Sequence, residues 1–177
     1  MIKLKKLNFV SLYMLDSSKF VEKFLQNRRF KKARPFLIGD VLDFGGNQGE
    51  LKKFVKGNYL VVNNDHAPLT NAHCDTIVCL AVIEHLDQAE VFKVFNEFKN
   101  ILNENGRIFL TTPTKAAKSV LEFMAFFRIV DKENIKEHKH YWSKNEIYAL
   151  AETTGLILEK YEKFQLGYNQ LAVLKHK

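Results

Sequence analysis

The sequence predicts a single α/β domain, a doubly wound and mostly parallel sheet closed at its C-terminal edge by an antiparallel hairpin. Three observations predict it. The apolar runs Val41–Phe44, Tyr59–Val62, 76–80 and 107–110 show little polar alternation, the mark of strands covered on both faces. Between the last two, Val91, Val94, Phe95, Phe98, Ile101 and Leu102 recur at helical spacing. The closing runs Leu156–Phe164 and 171–174 are joined by a short segment containing Gly167 and Asn169, a hairpin pattern. With 177 residues, 46% of them hydrophobic, the chain can bury one substantial core but is too short for two full domains, so residues 1–177 are expected to form one unit.

Each element follows in order. Asp16 or Ser17 can cap a first helix whose apolar residues Phe20, Val21, Phe24 and Leu25 share a face, with Arg28, Arg29, Lys31 and Lys32 at its end. After Pro35 comes the strand Val41–Phe44, then a glycine-rich turn, then a short helix through Leu51, Phe54 and Val55. Asp87 and Glu90 form a capping-box start for the strongly periodic helix, which Asn103 to Gly106 should stop. A further helix is expected over 115–128, and another between Ser143 with Glu146 at its start and Gly155 at its end.

Charge is unevenly placed. Residues 1–35, a basic helical preface, hold ten of the 27 Lys and Arg residues and only two acids. Such a lobe could contact an anionic surface, or serve only as a solvated face. Cys74 and Cys79 are separated by an odd number of positions, so in a regular strand they face opposite ways and form no disulfide. Met1 to Leu15 imitates a secretory signal, but Asn8, Ser11 and Tyr13 interrupt it and no small-x-small cleavage site follows. No segment has the roughly 20 apolar residues a bilayer crossing needs. A cytoplasmic protein without a transmembrane segment is the expectation.

In a doubly wound sheet, ligands sit beyond the carboxyl ends of the strands. The turn Gly45-Gly46-Asn47-Gln48-Gly49 follows the first core strand, where glycines let the backbone approach a ligand closely and the next helix offers N–H groups. The run Val41-Leu42-Asp43-Phe44-Gly45-Gly46-Asn47-Gln48-Gly49 resembles the first motif of class I S-adenosylmethionine-dependent methyltransferases. Its companions are Asp75-Thr76-Ile77-Val78 with Val82-Ile83-Glu84-His85-Leu86, then Leu102 to Gly106 running into Arg107 to Pro113. The likeness spans about residues 38–175.

The resemblance implies a Rossmann-like methyltransferase sheet and S-adenosylmethionine as cofactor. Gly45, Gly46 and Gly49 would pass close to its methionine part, Asp43 would orient that loop or the amino group, and Phe44, Asn47, Leu80 and Glu84 would border the site. Asn47 stands where the family has its middle glycine. Only residues 65–74 separate the second strand from the Asp75 segment, where the family fits a helix, a third strand and an adenine-contacting loop. The sheet is therefore expected to be shortened between the family's second and fourth strands. Asp65 aligns either with the acid on the ribose hydroxyls or with a later acid facing adenine; the second alignment leaves Asn63 or Asn64 near the ribose.

For a hydroxyl acceptor a general base would assist, and His85 is the first candidate, with His138 and His140 second. Glu84-His85 with His138-x-His140 also has the residue types of a metal site, but Ala81 stands where some quinone-pathway methyltransferases carry a further acid, and no metal is expected. Phe123, Phe126, Phe127, Tyr141 and Trp142 could wall an apolar acceptor pocket, although core packing explains the phenylalanines equally. The expected activity is methyl transfer to a small-molecule, sugar or lipid-linked acceptor, most readily at oxygen. Nucleic acid is not an expected partner, because no Asn-Pro-Pro-Tyr-like motif and no recognition domain is present. The competing expectation is a methyltransferase-fold binding module without catalysis.

Overall fold

The computed structural model describes residues 9–63, 69, 73–120 and 138–177. Helix α1 (Phe9–Ala33) leads through a 3-10 turn, Arg34–Phe36, into strand β1 (Val41–Phe44). A second 3-10 turn, Glu50–Phe54, precedes β2 (Tyr59–Val62), and β3 (Cys74–Leu80), α2 (Gln88–Ile101) and β4 (Leu102–Pro113) follow. Helix α3 (Lys144–Thr153) and the hairpin of β5 (Leu156–Phe164) and β6 (Asn169–His176) complete the chain. The six strands lie in the order β2-β1-β3-β4-β6-β5. The first four are parallel, whereas β6 runs antiparallel to both β4 and β5.

Alternation along the strands divides the core into two layers. Leu42, Phe44, Ile77, Cys79, Ile108, Leu110, Ala172 and Leu174 face a cluster built with Val91, Phe95 and Phe98 of α2 and Ile147, Leu150 and Ala151 of α3. Val41, Val78, Phe109, Leu171 and Val173 face the opposite cluster, built with Phe30 and Ala33 of α1 and Leu51. Each fully buried Val, Leu, Ile or Phe of these clusters stabilises the fold by about 1.5–3 kcal/mol. Side chain and main chain cap both periodic helices reciprocally. Asp87 and Glu90 close the capping box of α2, and Ser143 and Glu146 close that of α3.

The structure revises three expectations. Helix α1 begins at Phe9, upstream of Asp16 and Ser17, because no glycine or proline interrupts residues 9–33. Helix α2 stops at Ile101 and strand β4 starts directly after it at Leu102, upstream of the expected start at Arg107; Leu102 pairs with Cys74 before an irregularity in register leads to Thr76 opposite Arg107. The free thiols Cys74, at the first residue of β3, and Cys79 join the same apolar cluster rather than facing opposite ways. At the C-terminal end of α1, Phe30 and Ala33 are buried against the sheet, Lys32 pairs with Glu162 and the Arg34 guanidinium lies 4.6 Å from the Phe54 ring centre, while Arg28 and Lys31 are exposed. Residues 117–120 are helical, in agreement with the expected helix over 115–128, but 121–137, including Phe123, Phe126 and Phe127, lie outside the described residues. Among the described residues, no helix is long and apolar enough to cross a membrane.

Candidate active site

The turn after β1 is shaped by backbone that side chains resist. Gly45, Asn47 and Gly49 have φ of 76°, 48° and 74°, in the left-handed region where glycine is unstrained and asparagine is among the better-tolerated alternatives. A Cβ on Gly45 would sit 2.4 Å from Val82 Cγ2, and one on Gly46 would sit 2.4 Å from the Asp43 carboxyl carbon. The Gly45 N–H donates to the Val62 carbonyl at 2.7 Å, and the Asn47 N–H donates to Asn63 Oδ1 at 3.2 Å. Asn63 thus braces the turn from the end of β2. The helix expected to follow is a five-residue 3-10 turn, and the Gly49 N–H is already donated to the Gly46 carbonyl, so N–H groups from a long helix are not what this site offers.

Asp43 lies beneath this turn, buried, with the Tyr59 hydroxyl donating to its Oδ2. Burial raises its pKa against the lowering effect of that hydrogen bond, and burial likewise pushes the Tyr59 phenol well up. The Phe44 ring turns away into the core, edge-on to Phe98 with centres 5.1 Å apart, so only its main chain borders the turn.

A second group of residues forms just past β3. Leu80 pairs with Thr111 inside the sheet, and Ala81 then takes a left-handed φ of 57°, its N–H donating to the Thr111 carbonyl at 2.9 Å. This turn sends Val82 onto Gly45 and buries Glu84, only 1% exposed. The Glu84 carbonyl accepts from Lys139 N at 2.8 Å and His140 N at 3.2 Å, which draws the segment 138–143 onto the same loop. His85 and His138 consequently meet with ring centres 4.7 Å apart, and His138 Nδ1 lies 3.1 Å from the Tyr141 hydroxyl.

The environment tunes these groups strongly. Burial lifts the Glu84 carboxyl to about 7, against its own main-chain N–H, Arg29 and Thr112, which lower it. Its Oε2 and the nearby Thr111 and Thr112 hydroxyls have no hydrogen-bond partner among the described residues. Burial, then His85 and Arg29, depress His138 to about 4. One potential ligand atom each from Glu84, His85 and His138 lies within 4.8 Å of the others, a spacing a divalent cation could bridge. The Arg29 charge, which lowers the pKa of both Glu84 and His138, works against a cation there.

Comparison with known proteins bears directly on this arrangement. The family model described as "Methyltransferase domain" matches residues 13–161. The chain belongs to the class I S-adenosylmethionine-dependent methyltransferase family. Its fold is similar to the mitomycin 7-O-methyltransferase MmcR (TM-score 0.64, 12% identity, 86% of this chain and 54% of that one). It is equally similar to the pyocyanin biosynthetic protein PhzM (TM-score 0.64, 16% identity, 93% and 61%), so it spans little more than half the length of these two structures. PH0226 from Pyrococcus horikoshii OT3 matches along most of both chains (TM-score 0.57, 17% identity, 86% and 91%). No curated protein matches.

Against this methyltransferase frame, the structure brings together Glu84, His85 and His138 on one side and Asp43, Gly45, Gly46, Asn47 and Gly49 on the other, joined through the Val82–Gly45 contact. It does not bring His140 to the histidine pair, because His140 Nε2 is held 2.9 Å from Glu146 Oε1 and its ring lies edge-on to Trp142. Trp142 is itself core, its Nε1 donating to the Ile83 carbonyl at 3.3 Å. Asn64 and Asp65 lie outside the described residues. Asn63, which one alignment leaves near the ribose, is instead seen bracing the turn, and Tyr59 and Arg29 were not named as site residues from the sequence. Tyr59 could have been sought as a polar residue flanking β2 opposite the glycine turn, whereas nothing in the spacing links Arg29 to Glu84.

Proposed function

We propose that this chain holds S-adenosylmethionine on the turn Gly45 to Gly49 and transfers its methyl group to oxygen of a small-molecule, sugar or lipid-linked acceptor. One observation carries the reading: Val82 packs on Gly45 while the next residues but one, Glu84 and His85, enter the histidine cluster, so donor turn and acid–base groups share one end of the sheet. The residues fit the cofactor in that the turn is left-handed at Gly45, Asn47 and Gly49, is braced by Asn63, and is packed by Val82, Asp43 and Tyr59 so closely that its glycines admit no side chain. When bound, the cofactor supplies an electrophilic sulfonium methyl, which carries the hard chemistry.

The protein's share is positioning, exclusion of water and proton handling. Asp43 supports the turn; Leu80 and the Phe44 main chain border it. A His85 ring nitrogen receives the acceptor hydroxyl proton, and His138, neutral above about pH 4, orients that ring from its side without competing for charge. The structures of NcsB1, one with S-adenosylmethionine and 2-hydroxy-5-methyl naphthoic acid, have the same fold at 14% identity and support a hydroxylated small molecule as acceptor class.

Calorimetric titration with S-adenosylhomocysteine tests this. Binding to the wild-type chain that is lost in Gly45→Arg supports the cofactor reading; binding to neither favours a non-catalytic module.

A further inference from the structure

The hairpin of β5 and β6 turns over at the same end of the sheet as the glycine turn. Phe164, the last residue of β5, pairs with Asn169, which pairs in turn with Pro113 at the end of β4. Thr114 then ties the tip down, its N–H donating to the Tyr168 carbonyl at 2.9 Å and its Oγ1 to the Gly167 carbonyl at 2.8 Å. Helix α1 reaches this end from the opposite direction. Lys32 pairs with Glu162, whereas two turns earlier the Leu25 carbonyl accepts from Gln165 Nε2 at 3.5 Å, so the helix runs antiparallel to β5. The adjoining Gln26 donates from Nε2 to Oε2 of Glu50, just past the glycine turn, at 3.0 Å. With Leu25 and Gln26 held at this level, residues 9–24 carry the helix roughly 24 Å further, at about 1.5 Å per residue.

The surface of this end is apolar and basic together. Leu166 at the hairpin tip is 96% exposed and takes a left-handed φ of 57°, a conformation that strains leucine, so in water it loses on both counts. Phe24, just before the Leu25 contact, is 52% exposed with the Arg28 guanidinium 5.9 Å from its ring centre, and Lys23 and Arg28 are exposed beside it. Further out along α1, residues 9–15 comprise six apolar residues and Ser11, following Lys3, Lys5 and Lys6 in the sequence. Cations alone would suit the phosphate backbone of a nucleic acid, but an exposed leucine gains nothing there. Apolar side chains that enter the acyl boundary, flanked by lysine and arginine against anionic headgroups, hold a protein on the face of a bilayer.

We propose that the carboxyl end of the sheet docks on an anionic lipid bilayer, with Leu166 and Phe24 entering its interface and Lys23 and Arg28 lying against phosphate headgroups. The glycine turn and the Glu84–His85 loop lie at that same end, so docking selects the lipid-linked class among the acceptors. That last step rests on the methyltransferase reading above; the docking itself does not.

Flotation of the full chain with vesicles tests it, using phosphatidylcholine alone and phosphatidylcholine mixed with phosphatidylglycerol, at low and high salt, beside a titration with duplex DNA. Wild type should bind the anionic vesicles at least tenfold more tightly than the neutral ones, and added salt should weaken the contact. Lys23→Gln with Arg28→Gln should remove most of that preference. Leu166→Asn with Phe24→Ser should lower binding at least tenfold at an unchanged melting temperature, since asparagine is better tolerated in the left-handed turn. Leu166→Trp should be quenched by brominated lipid, whereas wild type, whose Trp142 is buried in the core, should not. Absence of vesicle binding, binding that Leu166→Asn with Phe24→Ser leaves intact, or an unquenched Leu166→Trp overturns the docking. Binding to duplex DNA in place of vesicles overturns it in favour of a nucleic-acid surface. A chain that docks on vesicles but fails to bind S-adenosylhomocysteine defeats the proposed function instead and leaves the docking standing.

Discussion

His85 and His138 face each other edge to face, ring centres 4.7 Å apart and planes at 79°, although one follows β3 and the other precedes α3. The His138 ring therefore feels the charge of His85. After burial, His85 is the second cause of the low His138 pKa, with Arg29 third. Replacing His85 with Gln should raise the His138 pKa from about 4, while burial keeps it below the ordinary histidine value of about 6.5. NMR titration of the ring protons reads this; an unmoved pKa would remove the coupling. His85→Ala should also lower methyl transfer at least tenfold without altering S-adenosylhomocysteine affinity.

Glu84 carries a testable stability sign. Its folded pKa of about 7 lies above the unfolded value near 4.5, so the folded chain binds more protons between these limits and stability falls as pH rises through them. Glu84→Gln removes the ionisation. The variant should match wild type near pH 4 and melt higher at pH 8, by about 2–4 °C per kcal/mol recovered. Thermal melts at both pH values check it, and a variant that is less stable at pH 8 would show that the ionised carboxyl is fully compensated.

Gly45 is constrained twice, by a φ of 76° and by Val82. Gly45→Ala should destabilise the chain by about 2–4 kcal/mol, combining backbone strain of roughly 1–2 kcal/mol with overpacking. Adding Val82→Ala should relieve the contact but not the backbone strain, leaving the double variant about 1–2 kcal/mol better than additivity predicts. Denaturant unfolding of the four species measures the coupling, and strict additivity would mean that Val82 has room to move aside.

The start of α3 has the opposite pH sign from Glu84. Burial raises the Glu146 pKa, but the Ser143 hydroxyl and N–H, Lys115 and His140 outweigh it and hold the carboxyl at about 2. That contribution is present above the unfolded pKa near 4.5 and lost as pH falls toward 2. Ser143→Ala should destabilise by about 1 kcal/mol at pH 7, with a smaller difference at pH 3, as unfolding curves at the two pH values would show.

Sheet and helices were legible because their signals are local or periodic. The unalternating runs of β1 and β3, the spacing of Val91, Phe95 and Phe98, and the capping pairs Asp87–Glu90 and Ser143–Glu146 each report burial or hydrogen bonding within a few residues. The start of α1 and the early onset of β4 were misread, since cap-type residues inside a helix and polar residues entering a strand are overridden by the elements around them.

By itself the sequence determined that a glycine turn ends the first parallel strand and that Glu84-His85 follows the third, for both depend on chain-local backbone preference. Only the tertiary structure decided that His138 and not His140 meets His85, that Asn63 braces Asn47, and that Glu84 is buried beneath the histidine pair's loop. The physical reason is that these relationships arise from how separate elements dock, set by which faces bury apolar surface, and spacing along the chain carries no record of that.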